Sequence, residues 1–254
     1  MMHYSPLKLA EVFKTLSSLA PGRIDFGIGR APGGDNKAIY ALAEGRRPNV
    51  DHLYGKIDTT LKLINDEYLD HPVYQNIVAS PNNIILPEAW LLGSTGNSAV
   101  QAGRMGMGYS YAQFFTGHLD KDVIDIYRDS FEPSAYFEKP NVSVCYFVTT
   151  AETKEEAEYE AKPADINRLL FQRGQIMQHM TPAEAKDYPL TEMDKMIIQE
   201  NRKMHFVGSA KEVADMLIRE QEKYSFDAAM ICSIPHSQQT RLNVYRPLAK
   251  ELIS

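Results

Sequence analysis

Residues 22–34 read Gly-Arg-Ile-Asp-Phe-Gly-Ile-Gly-Arg-Ala-Pro-Gly-Gly, and this stretch decides the fold. Its apolar residues alternate with small or polar ones, which predicts a short β-strand over residues 24–29. The strand ends at Gly29-Arg30, and the loop that follows has no bulky side chains. Such a turn places a guanidinium beside backbone that a ligand can approach closely. Arg30 is therefore a candidate for binding a phosphate or a carboxylate.

Short apolar segments alternate with segments of helical periodicity along the rest of the chain. Strands are predicted over residues 24–29, 89–92, 107–113, 142–149 and 227–233. Helices are predicted over residues 6–20, 50–66, 97–105, 119–130 and 238–252, and a long polar loop over 33–48. Strands that are apolar throughout and alternate with helices indicate a parallel sheet covered by helices.

Two of the helical segments carry more detailed expectations. The helix over residues 6–20 places Leu9, Val12, Phe13, Leu16 and Leu19 on one face, which predicts that this face is buried. Residues 160–204 are charged and Met-rich, and we expect a helical, partly mobile segment there. It would act either as a cover for the core or as a lid over an apolar substrate.

The composition limits the classes of function. The chain has 254 residues, a net charge of -6 and a pI near 5.7, so it lacks the basic face that nucleic-acid binding needs. No apolar run approaches the roughly 20 residues of a membrane span, and no apolar signal sequence follows Met1. Cys145 and Cys232 stand in apolar runs without metal-ligand spacing, which predicts buried, reduced thiols. We therefore expect a cytoplasmic protein.

A second glycine-rich turn follows the strand at 89–92, and it reads Gly93-Ser94-Thr95-Gly96-Asn97-Ser98. The turn leads into a helix, so backbone N–H groups, hydroxyls and the positive end of the helix dipole converge there. Ligands of parallel α/β folds bind at the carboxyl ends of the strands, where Arg30 also lies. We predict a phosphate monoester site formed by both turns. Two simpler interpretations stay open, which are N-capping by Ser94 and Ser98 and an ion pair for Arg30.

Other catalytic or metal-binding motifs do not occur in the sequence. The glycines lack the Rossmann spacing, and no Gly-Lys-Ser/Thr follows a glycine loop. The seven histidines are scattered without metal-ligand spacing, and we interpret them as surface or loop residues. No metal site is predicted.

Four segments resemble the bacterial luciferase-like family of flavin-dependent monooxygenases. They are residues 5–11 with 21–33, residues 90–94, residues 206–209, and the closing helix with Arg241 and Tyr245. They span nearly the whole chain, and the first, which begins Ser-Pro-Leu-Lys-Leu-Ala-Glu, is fairly specific. The resemblance implies a TIM barrel that binds FMN, often as a homodimer.

The resemblance also implies an activity and a set of cofactor contacts. In this family FMN that a separate flavin reductase has reduced reacts with O2, and the adduct oxidises an organic substrate such as a long-chain aldehyde. By position, Arg30 and Ser94 would bind the flavin phosphate, and Gly29 would leave room beside the flavin ring for the adduct. The residues expected to contact the cofactor are Gly29, Arg30, Gly93, Ser94, Thr95, Asn97 and Ser98. The deazaflavin F420 is the alternative cofactor, and no catalytic residue is assigned.

Departures from the family pattern modify the expected fold. Family members have further strands before the helix at 6–20, so we expect an incomplete (β/α)8 barrel with the first two or three βα units missing. Residues 1–254 would then form a single domain of five βα units, with a mobile helical insertion around 160–204. Gly108 stands where a proline is common, which predicts a looser turn into the third strand.

Three interpretations of function follow. The first is an FMN-dependent monooxygenase that acts on a small organic or long-chain aldehyde-like substrate. The second is a flavin-binding protein without turnover, and the third is an inactive fragment of such an enzyme. Strand 24–29 would be an open edge, which favours a homodimer.

Overall fold

The computed structural model describes residues 3–30, 36–46, 52–175 and 180–253. Within these ranges parallel strands alternate with helices, so the predicted α/β class is confirmed. The chain divides into two compact units, Met1–Ser110 with Asp122–Val142, and Tyr111–Lys121 with Ser143–Ser254. That the two units form one barrel domain, and that βα units are missing, stay predictions.

In chain order the elements are α1 (Pro6–Leu19), β1 (Asp25–Gly29), α2 (Asn36–Leu42), α3 (Leu53–Ile64), β2 (Glu88–Gly93), α4 (Gly96–Arg104), β3 (Gly108–Ala112), α5 (Gln113–Thr116), α6 (Lys121–Asp129), β4 (Val142–Ala151), α7 (Lys154–Gln172), α8 (Pro182–Lys186), α9 (Glu192–Asn201), β5 (Phe206–Ser209), α10 (Ala210–Tyr224), β6 (Ala228–Cys232) and α11 (Gln238–Leu252). All five predicted strands are present, with bounds shifted by two residues at most. Part of the predicted polar loop is instead helix α2. No helix in the described ranges is long and apolar enough to cross a membrane.

In the first unit, β1 pairs in parallel with β2, and β3 lies next to β2. Phe26 and Ile28 of β1 are buried, and the ring of Phe26 meets that of Phe13 edge-on at 4.6 Å. The apolar residues of α3 are also buried, with Ile57 and Ile64 fully inaccessible. The buried face of β1 is thus covered by α1 at Phe13.

The buried face of α1 differs from the predicted one. The predicted face leaves three of its residues exposed, which are Val12, Leu16 and Leu19. The buried row contains Ala10 and Ser17 instead, because small side chains let α1 pack closely on α3. The same row contains Lys14, which is fully buried and forms an ion pair with Asp66 just after α3. A buried cation needs such a partner, which apolar periodicity cannot reveal.

Gly108 serves the packing of an aromatic side chain at the start of β3. A Cβ atom at this position would lie 2.4 Å from Cε3 of Trp90 on β2. The indole ring also meets the ring of Phe137 edge-on at 5.2 Å. A side chain at position 108 would therefore collide with Trp90, and the sequence pattern did not reveal this constraint.

In the second unit, β4 pairs in parallel with β6 through Ser143–Phe147 and with the short strand β5 through Val148–Ala151. Strand β5 was not predicted. Most described residues of 160–204 lie in α7, α8 and α9, so this stretch is largely helical, as predicted. Part of the Met-rich stretch, residues 176–179, lies outside the described residues.

Candidate functional site

The carboxyl ends of β1 and β2 lie side by side in the first unit. The parallel register sets Gly29 opposite Leu92. Arg30 therefore leaves β1 at the same edge at which Gly93 and Ser94 leave β2. The pairing brings the two predicted turns together, although residues 31–35 of the first turn lie outside the described residues.

The open face of β1 and β2, opposite the buried one, carries Trp90 and Leu92 of β2 beside two glycines of β1. Gly27 and Gly29 lie on it, next to Leu92, which is 42% exposed. A Cβ atom at Gly29 would lie 3.4 Å from Cβ of Leu92, which is an ordinary contact distance. Packing against the described residues therefore does not require glycine there, and the glycine leaves space in front of the sheet.

Packing does require glycine at the end of β2. A Cβ atom at Gly93 would lie 2.3 Å from the hydroxyl oxygen of Ser98 and 3.4 Å from that of Tyr109. The absence of a side chain at Gly93 therefore leaves this space to the buried Ser98 side chain.

Ser98 stabilises the turn from inside. Its hydroxyl donates to the carbonyl oxygen of Thr95 at 2.8 Å, accepts from the N–H of Thr95 at 3.2 Å, and lies 3.0 Å from the hydroxyl oxygen of Tyr109. Thr95 is the N-cap of α4, and its hydroxyl accepts from the N–H of Ser98. Ser98 therefore has the capping role considered above, as the partner of Thr95 in a capping box. Ser94 does not cap the helix, because its side chain forms no hydrogen bond within the described ranges.

The N-terminus of α4 presents donors without nearby negative charge. The N–H groups of Gly96 and Asn97 have no acceptor among the described residues, and the first turn contains no acidic residue. The amide of Asn97 donates to the hydroxyl of Tyr54 at 3.3 Å, which fixes that side chain beside the turn. The positive end of the helix dipole is therefore available to an anion.

Arg30 is exposed, and within the described ranges no carboxylate lies at ion-pair distance from it. The ion pair considered as the simpler interpretation is thus not found among these residues. An arginine and two free N–H groups at one edge suit the several oxygens of a phosphate monoester.

Sequence reasoning missed Tyr54 and Tyr109, which hold the second turn from two other elements. Tyr109 is fully buried on β3, and its ring stacks on that of Tyr127 at 5.4 Å. Alternation within β3 could have predicted its burial. Its hydrogen bond to Ser98 depends on how β3 packs beside the turn, which no local pattern shows.

Among the described histidines, His205 has the most strongly shifted pKa, although the sequence indicated only a surface or loop residue. It lies just before β5 in the second unit, stacks on Phe147 at 4.2 Å, and shares a 2.9 Å hydrogen bond with the hydroxyl of Thr149. Burial, with the positive charges of Arg202 and Arg168 nearby, holds its pKa well below the usual value. His205 is therefore neutral near pH 7.

A second histidine, His236, lies in the segment after β6. Its Nδ1 atom is 3.5 Å from an oxygen of Glu160 on α7. Burial raises the pKa of the Glu160 carboxyl, and the proximity of His236 lowers it. Among the described residues, no group of three or more His, Cys, Asp or Glu could hold a metal ion.

The family model described as luciferase-like monooxygenase matches residues 1–225. The chain belongs to this family. The protein YceB of Bacillus subtilis (strain 168) is 35% identical over 97% of this chain and 75% of its own length. The N-acetyl-S-alkylcysteine monooxygenase of the same organism is 30% identical over 91% of this chain and 69% of its own length. The crystal structure of apo-MsnO8 is similar with a TM-score of 0.84 and 30% identity, over 99% of this chain and 75% of that one.

Two more distant structures of the same fold carry cofactors. The oxygenating constituent of 3,6-diketocamphane monooxygenase from Pseudomonas putida, in complex with FMN, has a TM-score of 0.59 and 18% identity over 100% of this chain and 75% of that one. An F420-dependent secondary alcohol dehydrogenase in complex with an F420-acetone adduct has a TM-score of 0.63 and 11% identity, over 98% of this chain and 76% of that one. At these identities the likeness shows the fold alone. The chain is a luciferase-like monooxygenase by family, and the cofactor that it uses is a separate question.

Replacing Ser98 with Ala should lower the free energy of unfolding by about 1–3 kcal/mol, because the Tyr109 hydroxyl and the Thr95 N–H lose a buried partner. Ser94→Ala is the matched control, and it should change stability by less than about 0.5 kcal/mol. Urea denaturation of both variants measures the difference. Equal losses in the two variants would mean that Ser98 does not stabilise the turn.

The low pKa of His205 predicts a loss of stability in mild acid. As the pH falls, the unfolded chain binds a proton at this histidine before the folded chain does. The stabilisation of the fold by neutral His205 is therefore complete above about pH 6.5. Below that pH it decreases by at most about 1.4 kcal/mol per pH unit, until the folded-state pKa is reached. His205→Gln should flatten the dependence of unfolding free energy on pH between about 6.5 and 5. His118 is exposed, so the variant His118→Gln should show the same dependence of unfolding free energy on pH as the wild type. If His205→Gln also showed the wild-type dependence, the low pKa assigned to His205 would be wrong.

Proposed function

We propose that this chain is an FMN-dependent monooxygenase that uses reduced flavin and O2 to oxidise a small organic or long-chain aldehyde-like substrate. The observation that carries the proposal is the exposed Arg30, which has no carboxylate partner in the described ranges and lies at the same sheet edge as the free N–H groups at the start of α4. A flavin reductase as electron donor and a homodimer are parts of the same proposal.

The residues at this edge fit the phosphate end of a flavin mononucleotide. Arg30 would donate two hydrogen bonds to phosphate oxygens, and Gly96 and Asn97 would donate their backbone N–H groups. Ser94 has a hydroxyl that no described residue uses, so it is free to add a further donor. Ser98 would act indirectly, because its hydroxyl already holds the turn in shape.

The open face of β1 and β2 fits the flavin ring. Gly27 and Gly29 of β1 lie beside Trp90 and Leu92 of β2, and together they form an apolar patch that continues from the phosphate edge. When bound, reduced flavin supplies the two electrons that O2 activation requires. Gly29 would keep the space in front of the ring free, since a Cβ atom there fits the sheet but projects into that space.

A flavin titration tests the phosphate site. Arg30→Ala should weaken FMN binding by about 10- to 150-fold, because a charge-assisted hydrogen bond contributes about 1.5–3 kcal/mol. Riboflavin, which has no phosphate, should bind both proteins equally. Quenching of flavin fluorescence measures both affinities.

Arg23→Ala is the matched control for this titration, because Arg23 is an exposed arginine just before the opposite end of β1. It should leave the affinity for FMN unchanged. An equal loss of riboflavin affinity in Arg30→Ala would place Arg30 away from the phosphate. Tighter binding of F420 than of FMN would replace FMN as the proposed cofactor.

Oxygen consumption separates a monooxygenase from a passive flavin carrier. With reduced FMN, the chain should consume O2 in proportion to substrate, with decanal as one probe and an N-acetyl-S-alkylcysteine as the other. Gly29→Ala should lower this rate at least about tenfold while flavin affinity stays within about threefold. Gly55→Ala is the control, since Gly55 lies on α3 outside this patch and its Cβ atom would meet nothing within 4 Å. Flavin binding without substrate-dependent consumption would identify a flavin-binding protein without turnover.

A further inference from the structure

The second unit contains a cavity of about 430 Å³ between α7, α8 and α9. Its apolar wall consists of Ile166, Ala185, Leu190 and Ile198. Two of these residues, Ile166 and Ala185, also belong to a small buried cluster with Leu170 and Met180. The cavity is therefore the open side of the contact between α7 and α8. Its volume lies in the range of small-molecule sites.

A fixed ion-pair network forms one end of the cavity. Arg202 donates to both oxygens of Asp165, at 2.8 Å and 2.6 Å, and to Glu158 at 2.9 Å. Asp165 is buried, and burial raises the pKa of its carboxyl although Arg202 opposes the shift. These three groups satisfy one another and together carry one excess negative charge.

Two lysines line the same cavity without such partners. Lys162 on α7 and Lys186 at the end of α8 form no ion pair within the described ranges, whereas Lys195 pairs with Glu192 at 2.6 Å. The charge of Lys162 also acts on Asp165, and the two ammonium groups together outweigh the one excess negative charge of the Arg202 network. The cavity wall is thus apolar on one side and carries a net positive charge on the other.

We propose that this cavity binds an organic monoanion with an apolar body, such as a medium-chain carboxylate. The apolar body would cover Ile166, Leu190 and Ile198, and the carboxylate would lie between the ammonium groups of Lys162 and Lys186. One negative charge matches the net charge of the wall. All residues that line this cavity belong to the second unit, whereas the cofactor residues proposed above belong to the first.

The ligand should also stabilise α8. This helix has five residues, Pro182–Lys186, and is too short to persist without tertiary contacts. A ligand that contacts both Ile166 and Ala185 would add apolar contact between α7 and α8. Hydrogen exchange of the amides in α8 therefore reports occupancy without any measurement of enzyme activity.

Calorimetric titration of the full chain with decanoate tests the proposal. Decanoate should bind, and the double variant Lys162→Met/Lys186→Met should weaken the binding about tenfold. The control Lys211→Met/Lys250→Met, which changes two exposed lysines of the same unit outside the cavity, should bind as the wild type does. Thermal unfolding checks that all variants fold.

Decanol and FMN complete the experiment. Decanol lacks the negative charge, so it should bind the wild type more weakly than decanoate does. For the same reason, the two double variants should bind decanol with equal affinity. Saturating FMN should leave the affinity for decanoate unchanged, and decanoate should slow exchange in α8. No binding of decanoate, equal binding by the two double variants, or displacement by FMN would overturn the proposal.

Discussion

The parallel register of β1 and β2 determines where the candidate site can be. It places Phe26 and Ile28 against the helices and Gly27 and Gly29 on the open face. Because side chains alternate along a strand, a slip of one residue would put two bulky side chains on the open face and two glycines in the core. The same register brings Arg30 to the edge at which β2 turns into α4. Burial of the apolar residues of β1 therefore also fixes the chemistry at its end.

In the turn after β2, some polar groups form hydrogen bonds within the protein and others are free to bind a ligand. Thr95 and Ser98 use their hydroxyls on each other and on Tyr109, so they define the shape of the turn. Ser94 and the first N–H groups of α4 are left for an anion. A rigid turn has little conformational entropy to lose on binding, so its free donors bind more tightly than the same donors on a mobile loop would. Ser98 thus contributes to the site although its own hydroxyl is occupied.

Much of this arrangement could be predicted from the sequence, because it rests on local patterns. The strands form where the sequence has apolar runs, and the two turns form where it has glycine and small polar residues. The features that the sequence did not predict depend on contacts between residues distant in the chain. The buried face of α1 contains Lys14, whose partner Asp66 is 52 residues away. Strand β5 has four residues and forms only because β4 provides a pairing edge, and His205 is buried by Phe147 and Thr149. Periodicity carries no information on such pairs.

The arginines show why position as well as the absence of a partner must be considered. Arg202 and Arg173 are satisfied by Asp165 and Asp194, so their charge stabilises the packing of α7 and α9. Arg23 and Arg30 both lack a carboxylate partner among the described residues, yet only Arg30 lies at a carboxyl strand end beside a helix N-terminus. A cation alone on a surface is well solvated and needs no ligand. A cation that shares its edge with unsatisfied backbone donors creates a local excess of positive potential, and an anion that reaches both gains from each. That combination, rather than the exposed guanidinium itself, favours Arg30 as the phosphate-binding residue.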